Sequence, residues 1–456
     1  MPDADLLIAG GTVVGPDGRL LANVAVAEGV IRYIGAARPS AHETVDATGL
    51  LLLPGGVDTH VHLMDPGSTD REDFPTGTSA AAVSGVTTII EHSHGQPVRT
   101  VDDLKGKLSY LDGRSNVDFA LAAHAWPGQA NDVHELWAGG VAFFKAFTCT
   151  THGVPGHDAA SLKAHLETTA LSGAVSLLHC EDQSLIESAE AMLRAQGRSD
   201  GGLLNDWRNR DAELVAAAVA ALLVRRTGAR ATIAHVSSPD VAAYVAAERA
   251  RGAALAAEGC PQYFLLRETD VHTHGALRKF TPPTRARTDQ DEVEMWRLLR
   301  DGVLTHMSSD HAPSTLEQKA AGDMWNVHFG LPGLDSTMAL LLDAAARGHL
   351  AYEDVVRVYS QNPAKTYGFW PRKGRLAPGA DADLLLVDPT LKRILRNADV
   401  LSKAAWTPFD GRKVTGGVVR TYLRGELIAE GGKPTGTRSG RFIAGAGAAR
   451  TYPLMS

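Results

Sequence analysis

The sequence has 456 residues, of which 44% are hydrophobic and 21% are charged, a composition typical of a folded globular protein. Its formal net charge of −7 argues against a long cationic groove for nucleic acid, because phosphate binding needs concentrated positive charge. The longest apolar stretch, residues 214–224, is too short to span a bilayer, and the acidic N-terminus lacks the basic start of a signal peptide. We therefore predict a cytoplasmic protein with neither a nucleic-acid nor a membrane partner.

Cysteine and histidine usage narrows the metal chemistry that the chain could perform. The three cysteines, Cys149, Cys180 and Cys260, form no Cys-x-x-Cys pair, which makes disulfides and thiolate zinc sites poor interpretations. The chain contains 18 histidines. Any metal is therefore expected to bind imidazole and carboxylate groups.

Both ends of the chain have the pattern of β-strands. In the first fifty residues, short apolar runs are separated by turn signals such as Pro16-Asp17-Gly18, and no helical period appears. The last eighty residues repeat this pattern, with apolar runs at 382–387 and 418–423. This predicts one small β domain built from residues 1–53 and 375–445, followed by a C-terminal tail at 446–456.

The middle of the chain, residues 54–374, alternates apolar runs with alanine-rich segments of helical period, such as 160–171, 211–226 and 239–251. Eight βα units over about 300 residues match a TIM barrel, which typically needs about 250 residues plus insertions. The alternative, an open doubly wound sheet, would call for a glycine-rich phosphate loop after an early strand, and no G-x-G-x-x-G or Walker motif occurs there. The eight candidate strands are residues 57–62, 87–94, 117–124, 141–147, 175–181, 231–236, 254–259 and 303–310.

Several of these apolar runs end at a residue that can bind a metal. His60 and His62 are two apart on a strand, so their side chains share a face and can bind one ion; a chance His-x-His is the alternative. His179 and His235 each follow apolar residues, where a hydrogen-bonded interior histidine is the alternative. Asp310 closes the eighth run, a position at which aspartate also caps helices.

Lys145 lies among phenylalanines in the run 141–147. Burying its ammonium group would cost several kcal/mol unless it were paired, and reaching to solvent at the strand end is one way to avoid this. The alternative is that burial lowers its pKa and leaves a neutral amine, which could add carbon dioxide and become a carboxylate that bridges two metals. Because the strand ends of a barrel share one rim, these five strand ends together predict a metal centre.

Longer motifs extend this interpretation to a family. The chain resembles the cyclic amidohydrolases of the amidohydrolase superfamily, the group of allantoinases, hydantoinases (dihydropyrimidinases) and dihydroorotases, over essentially its whole length. The motifs are PGGVDTHVH at 54–62, EDFPTGT at 72–78, SSDHAP at 308–313, GLPGL at 330–334 and GRLAPGADAD at 374–383. The resemblance implies a TIM barrel with a small β-sandwich domain formed from both termini.

The resemblance also implies two divalent metal ions, zinc first, with manganese, cobalt or iron as alternatives because imidazole and carboxylate suit all four. A metal-bridging hydroxide would open the C–N bond of a cyclic amide, and Asp310 would be the catalytic residue that passes a proton to the leaving nitrogen. Some relatives with this fold are assembly proteins that have lost ligands, and all six ligand positions are intact here. The implied ligands are His60, His62 and Asp310 for one ion, His179 and His235 for the second, and N6-carboxylated Lys145 as the bridge.

Departures from the family patterns bear on the substrate. Met64 stands where dihydroorotases carry an arginine for the substrate carboxylate, which disfavours dihydroorotate. Thr150 stands where hydantoinases carry a tyrosine, and Phe329 stands where they carry an asparagine. The chain is therefore predicted to be allantoinase-like, converting allantoin to allantoate. A hydantoinase, a dihydropyrimidinase or another cyclic imide or lactam hydrolase is the alternative.

Two segments on the predicted active rim depart from allantoinases as well. Residues 91–97 read EHSHGQP, and Gln262 replaces a histidine of the family motif. Loop drift and a different ring substrate both explain these changes. The predicted substrate contacts are Thr150, Thr281, His94 and Gly333. The expected partner is a small cyclic amide or ureide, and the family implies a homotetramer or homodimer.

Overall fold

The structure is a computed structural model that describes residues 4–128 and 132–448. The N-terminal strands belong to a small β domain, and a short hairpin at Pro16-Asp17 joins the first two, as the sequence predicts. These strands are β1 (Ala4–Gly15), β2 (Gly18–Ala27), β3 (Val30–Gly35), β4 (Ala41–Asp46) and β5 (Leu51–Pro54).

Parallel strands alternate with helices through the middle of the chain. The third barrel strand is interrupted at Ala122 and therefore counts as two, β8 and β9. The strands are β6 (Gly56–Val61), β7 (Val86–Glu91), β8 (Asp118–Leu121), β9 (Ala123–His124), β10 (Phe144–Phe147), β11 (Val175–His179), β12 (Arg230–Ile233), β13 (Ala254–Gly259) and β14 (His306–Met307).

Helices connect these strands, and the predicted ones are present within two residues of their expected ends. The helices are α1 (Phe74–Ser84), α2 (Val101–Leu111), α3 (Val133–Ala138), α4 (Ala159–Ser172), α5 (Gln183–Ala195), α6 (Leu203–Trp207), α7 (Arg210–Thr227), α8 (Pro239–Ala250), α9 (Gln262–Leu265), α10 (Asp270–His274), α11 (Asp289–Arg300), α12 (Leu316–Ala320), α13 (Thr337–Ala346), α14 (Tyr352–Val356) and α15 (Asn362–Tyr367). Among the residues described, no helix has both the length and the apolar character needed to cross a bilayer.

The C-terminal strands return to the first domain. They are β15 (Leu384–Ile394), β16 (Lys413–Leu423), β17 (Glu426–Glu430) and β18 (Lys433–Pro434). Strand β15 pairs antiparallel with β5, which joins the two ends of the chain in one nine-stranded hydrogen-bonded sheet. Its core includes buried Ile8, Val24, Leu52 and Leu386.

Backbone hydrogen bonds connect the barrel strands around its circumference. Strands β6 to β8 and β9 to β14 pair in parallel order. The His62 amide donates to the His311 carbonyl at 2.8 Å, and the His311 amide donates to the His60 carbonyl at 3.2 Å, which joins the first strand to the segment after the eighth. The predicted fold class, a TIM barrel with a small β-sandwich domain from both termini, is confirmed.

Local signals fix where each helix stops and the next strand starts. Asp73 caps α1 by accepting a hydrogen bond from the Thr76 amide at 2.8 Å. Gly85 ends that helix at a φ of 88°, in the left-handed region that glycine adopts without strain, and β7 begins at the next residue. This cap and this glycine therefore set where α1 begins and where β7 can start.

The eighth strand is shorter than the predicted run 303–310. Only His306 and Met307 pair as a strand, because the Ser309 amide turns towards the Asp58 carboxylate, 3.1 Å away, and Asp310 adopts a φ of 49°. This turn ends the ladder and directs Asp310 to the rim.

A buried ion network joins the barrel to the β domain. The Lys373 ammonium lies 2.6 Å from Asp118, 2.9 Å from Asp381 and 2.7 Å from Asp383, and Arg424 also pairs with Asp118. Arg441 and Ile443 exchange backbone hydrogen bonds with Phe119 of the third barrel strand, although the sequence assigns 375–445 to the β domain. The domain boundaries stay predictions, and residues 449–456 of the predicted tail lie outside the described residues.

Candidate functional site

A cavity with an empty volume of about 330 Å³ lies over the carboxyl ends of the barrel strands. In a TIM barrel this rim is where catalytic groups gather. All six residues predicted as metal ligands contribute to its wall. The lining residues are His60, His62, His94, Lys145, Phe147, His152, His179, His235, Phe280, Thr281, Asp310, Ala312, Phe329 and Gly330.

Four of the predicted ligands converge on one side of the cavity, here called half-site one: His60, His62, Lys145 and Asp310. The Asp310 Oδ1 atom lies 3.3 Å from His60 Nε2 and 3.8 Å from His62 Nε2. The Lys145 Nζ atom lies 3.2 Å from the same His60 nitrogen. Only Asp310 has appreciable solvent access, with 13% of its side chain exposed.

The other two histidines form half-site two. His179 is the last residue of β11, and His235 lies two residues after the neighbouring strand β12. The His179 Nδ1 atom is 2.9 Å from His235 Nε2. His235 has a φ of 35°, so the backbone turns at this residue as it does at Asp310. Two ring nitrogens aimed at each other at this distance can bind one cation after a small separation of the rings.

Acceptors behind the rings orient three of the four histidines. Glu258 Oε1 lies 2.7 Å from His60 Nδ1, the His92 carbonyl 3.1 Å from His62 Nδ1, and Glu181 Oε2 2.9 Å from His179 Nε2. A neutral imidazole carries one N–H, so donation to the acceptor leaves the lone pair of the other nitrogen facing the cavity. The donor set therefore fits two divalent cations of the kind that imidazole and carboxylate bind.

Comparisons with known proteins place the chain in a family. Residues 51–428 match the family described as Amidohydrolase family. The chain belongs to the amidohydrolases. It is 37% identical over 451 residues to an allantoinase from Rubrobacter xylanophilus, with 96% of this chain and 97% of that protein covered. An L-hydantoinase from Paenarthrobacter aurescens is 31% identical, with 94% and 95% covered.

Solved structures of hydantoinases have the same architecture as this amidohydrolase. The L-hydantoinase from Arthrobacter aurescens superimposes with a TM-score of 0.91 at 30% identity, covering 97% of this chain and 100% of that chain. A D-hydantoinase gives a TM-score of 0.90 at 28% identity, covering 96% and 98%. The predicted resemblance to cyclic amidohydrolases is confirmed, and the chain is a hydrolase that acts on cyclic amides.

The electrostatics of the amidohydrolase site favour neutral nitrogen donors. Burial, with a contribution from the Lys145 charge, lowers the pKa of His60 to about 4. Burial also lowers the pKa values of His62 and His235 well below their ordinary value. The pKa of Lys145 falls to about 8 for the same reason, against the opposing attraction of Glu258. The imidazoles are therefore uncharged at neutral pH, and roughly a tenth of the lysine is a free amine at pH 7.

Three functional candidates were not found from the sequence: Glu258, Glu181 and Arg208. Arg208 Nη1 donates to Glu181 Oε2 at 2.8 Å, and Thr281 Oγ1 donates to the same oxygen at 2.5 Å. Thr281 is thereby linked through Glu181 to His179. Glu258 is a single charged residue in an otherwise apolar strand, as Lys145 is. The same reasoning that singled out Lys145 could therefore have singled out Glu258.

The four predicted substrate contacts occupy different positions. Thr281 and His94 line the cavity, and the His94 ring stacks on His152 with 4.5 Å between the centroids. Gly333 lies behind the wall, where its amide donates to His311 Nδ1 at 3.1 Å. Thr150 is exposed and is not among the described lining residues. The substrate roles of all four stay predictions.

Proposed function

We propose that this amidohydrolase opens the ring of allantoin to give allantoate at a centre of two divalent cations. The observation that carries the proposal is the convergence of six nitrogen and oxygen donors in one cavity at the barrel rim. Allantoin is favoured because two relatives named allantoinase are 37% and 33% identical over nearly their full length. Met64 also offers no cation for the carboxylate that dihydroorotate carries.

The proposed ligands divide between the two half-sites. Zinc is the first expectation, with manganese, cobalt or iron as alternatives, because the donors are imidazole and carboxylate groups. When bound, the two cations supply an acidified water and a polarised carbonyl. The ligands would be His60, His62 and Asp310 for one cation, His179 and His235 for the other, and carboxylated Lys145 between them.

Lys145 is suited to carry the bridging carboxylate. Its buried amine, with a pKa lowered to about 8 chiefly by burial, is partly unprotonated at neutral pH. The free amine attacks carbon dioxide, an N–C bond forms, and one amine proton leaves to solvent. The product is a carbamate anion on Nζ. A buried cation is thereby replaced by an anion, which compensates the positive charge of two divalent ions.

Asp310 is proposed to move the proton. It is the one carboxylate among the described residues that line the cavity, and its Oδ1 faces His60 and His62. From this position it would accept a proton from the attacking water and deliver it to the ring nitrogen that leaves. Addition of one water across the ring C–N bond gives a carboxylate and a ureide. The aromatic walls, Phe147, Phe280 and Phe329, would pack against the ring of the substrate.

A substrate panel tests the proposal on protein reconstituted with zinc, manganese or cobalt. We expect allantoin to be opened with a higher kcat/KM than hydantoin, dihydrouracil, dihydroorotate or succinimide. Asp310→Asn should remove turnover while leaving the fold intact. Faster opening of 5-substituted hydantoins would instead support the hydantoinase alternative, to which the 31% identical L-hydantoinase points. No ring opening of any member, with two metal equivalents bound, would overturn the proposal. A cytoplasmic location stays a prediction from the sequence, and a homotetramer or homodimer stays a prediction from the family.

A further inference from the structure

His92 is a buried imidazole that the proposed centre does not use. It follows strand β7, has an exposure of 1%, and neither ring nitrogen has a hydrogen-bond partner among the described residues. Burying two unpaired polar nitrogens is costly, because each has lost its water without gaining a protein partner. A native position with this cost calls for a ligand that the ring binds.

The ring lies beside the first half-site. Its centroid is 4.6 Å from that of His60 and 4.4 Å from that of His62. One nitrogen from each of the three rings lies within 4.8 Å of the others. Two nitrogens bound to one zinc ion at about 2.0–2.1 Å are at most about 4.2 Å apart, so a small rotation of the rings suffices.

The backbone of His92 is already fixed in this place. Its carbonyl accepts hydrogen bonds from His62 Nδ1 at 3.1 Å and from His124 Nε2 at 3.0 Å. The ring also packs edge to face against Phe143, with 5.2 Å between the centroids. The rings of His60 and His62 are therefore polar groups within reach of the unpaired nitrogens.

We propose that His92 is a third imidazole ligand of the cation bound by His60 and His62. The inference rests on the proposed metal centre and deepens it. Three imidazoles and Asp310 supply four ligands without Lys145, so half-site one holds its cation whether or not the lysine is carboxylated. Lys145→Ala should therefore lose one cation and keep the other.

The test uses Co²⁺ alone as the probe and is made in the Lys145→Ala background. In that background a role of His92 as a hydrogen-bond donor to the carboxylated lysine cannot contribute. Binding is followed by the visible absorption of bound cobalt and by metal analysis. We expect Lys145→Ala to bind one equivalent of cobalt. Adding His92→Phe should raise the Kd for cobalt by more than about 100-fold, which is more than the loss of a residue that only orients a ligand usually causes. His165→Phe, a buried histidine that bonds Ser176 on the far side of β11, is the matched control.

The outcomes separate this inference from the proposed function. Wild type that binds no cobalt would overturn both. The role of His92 alone would be overturned if wild type binds two equivalents of cobalt while the Kd of the double variant stays within threefold of that of Lys145→Ala. An effect of His92→Phe that appears only when Lys145 is present would also overturn it. Because the change removes an unpaired buried imidazole, metal-free His92→Phe should melt no lower than wild type. If it fails to fold, His92→Met replaces it in the same comparison.

Discussion

Glu258→Gln removes a negative charge from behind His60 while keeping the shape of the side chain. Glu258 is fully buried, and its Oε1 accepts from His60 Nδ1 at 2.7 Å and from the His235 amide at 3.0 Å. Burial alone would raise the pKa of Glu258, but the facing imidazole rings of His60 and His306 outweigh burial and hold this pKa well below its usual range. The group is therefore ionised, and the amide of glutamine retains an acceptor but not the charge.

The expected effect is weaker binding of the cation held by His60. Carboxylates that orient a ligating histidine contribute about 10–100-fold to metal affinity, or about 1.4–2.8 kcal/mol. We expect Glu258→Gln to raise the Kd of half-site one within this range, measured by zinc competition with a chromophoric chelator. Glu213→Gln is the matched control, because Glu213 is an equally buried barrel carboxylate that accepts from the Ser237 amide at 3.0 Å. A Kd for Glu258→Gln within twofold of wild type would refute this role.

Three further changes test other parts of the structure. Burial raises the pKa of Glu213 to about 7 from 4.5, so its stabilisation is complete below pH 4.5 and is lost as the pH rises to about 7. Between pH 4.5 and 7, the unfolding free energy of wild type should therefore fall by on the order of 3 kcal/mol more than that of Glu213→Gln, as measured by denaturant titration. The same pH dependence in both proteins would contradict the raised pKa of Glu213. Lys373→Met leaves Asp118 and its neighbours without their buried cation and should lower the unfolding free energy by about 3–5 kcal/mol, whereas an unaltered denaturation midpoint would contradict the network's importance. Lys145→Ala should lose the binuclear centre and its turnover, with partial rescue by added propionate, and full activity without rescue would remove the bridge.

The strand ends could be predicted from the sequence because each apolar run stops at one polar residue. That rule identified His60, His179, His235 and Asp310, and the structure brings all of them to one cavity. The barrel follows from eight such runs. The length of the last strand did not follow, because a side chain distant in sequence, Asp58, draws the Ser309 amide out of the ladder.

The residues that orient the proposed ligands were harder to predict. Glu181 was included in a predicted strand without a role, and its partner Arg208 lies 27 positions further along the chain. Neither periodicity nor spacing encodes such a pair, which depends on how two helices and a strand pack. The position of His92 could not be predicted either. The sequence pattern of the second strand does not say whether the His92 ring lines the cavity or lies against the rings of His60 and His62.

In both half-sites a buried carboxylate orients a histidine, but only the carboxylate of half-site two has an arginine beside it in the described part of the chain. Glu258 stands behind His60, and Glu181 stands behind His179, so each carboxylate turns a ring nitrogen towards the cavity. Arg208 lies 2.8 Å from Glu181 and compensates its charge. The partners of Glu258 in the described part of the chain are histidines, the Thr59 hydroxyl and a backbone amide. A carboxylate without an arginine partner, together with Asp310, attracts a divalent ion more strongly than an arginine-paired carboxylate does. We therefore expect half-site one to bind its cation more tightly than half-site two, so that a chelator should remove the cation of half-site two first.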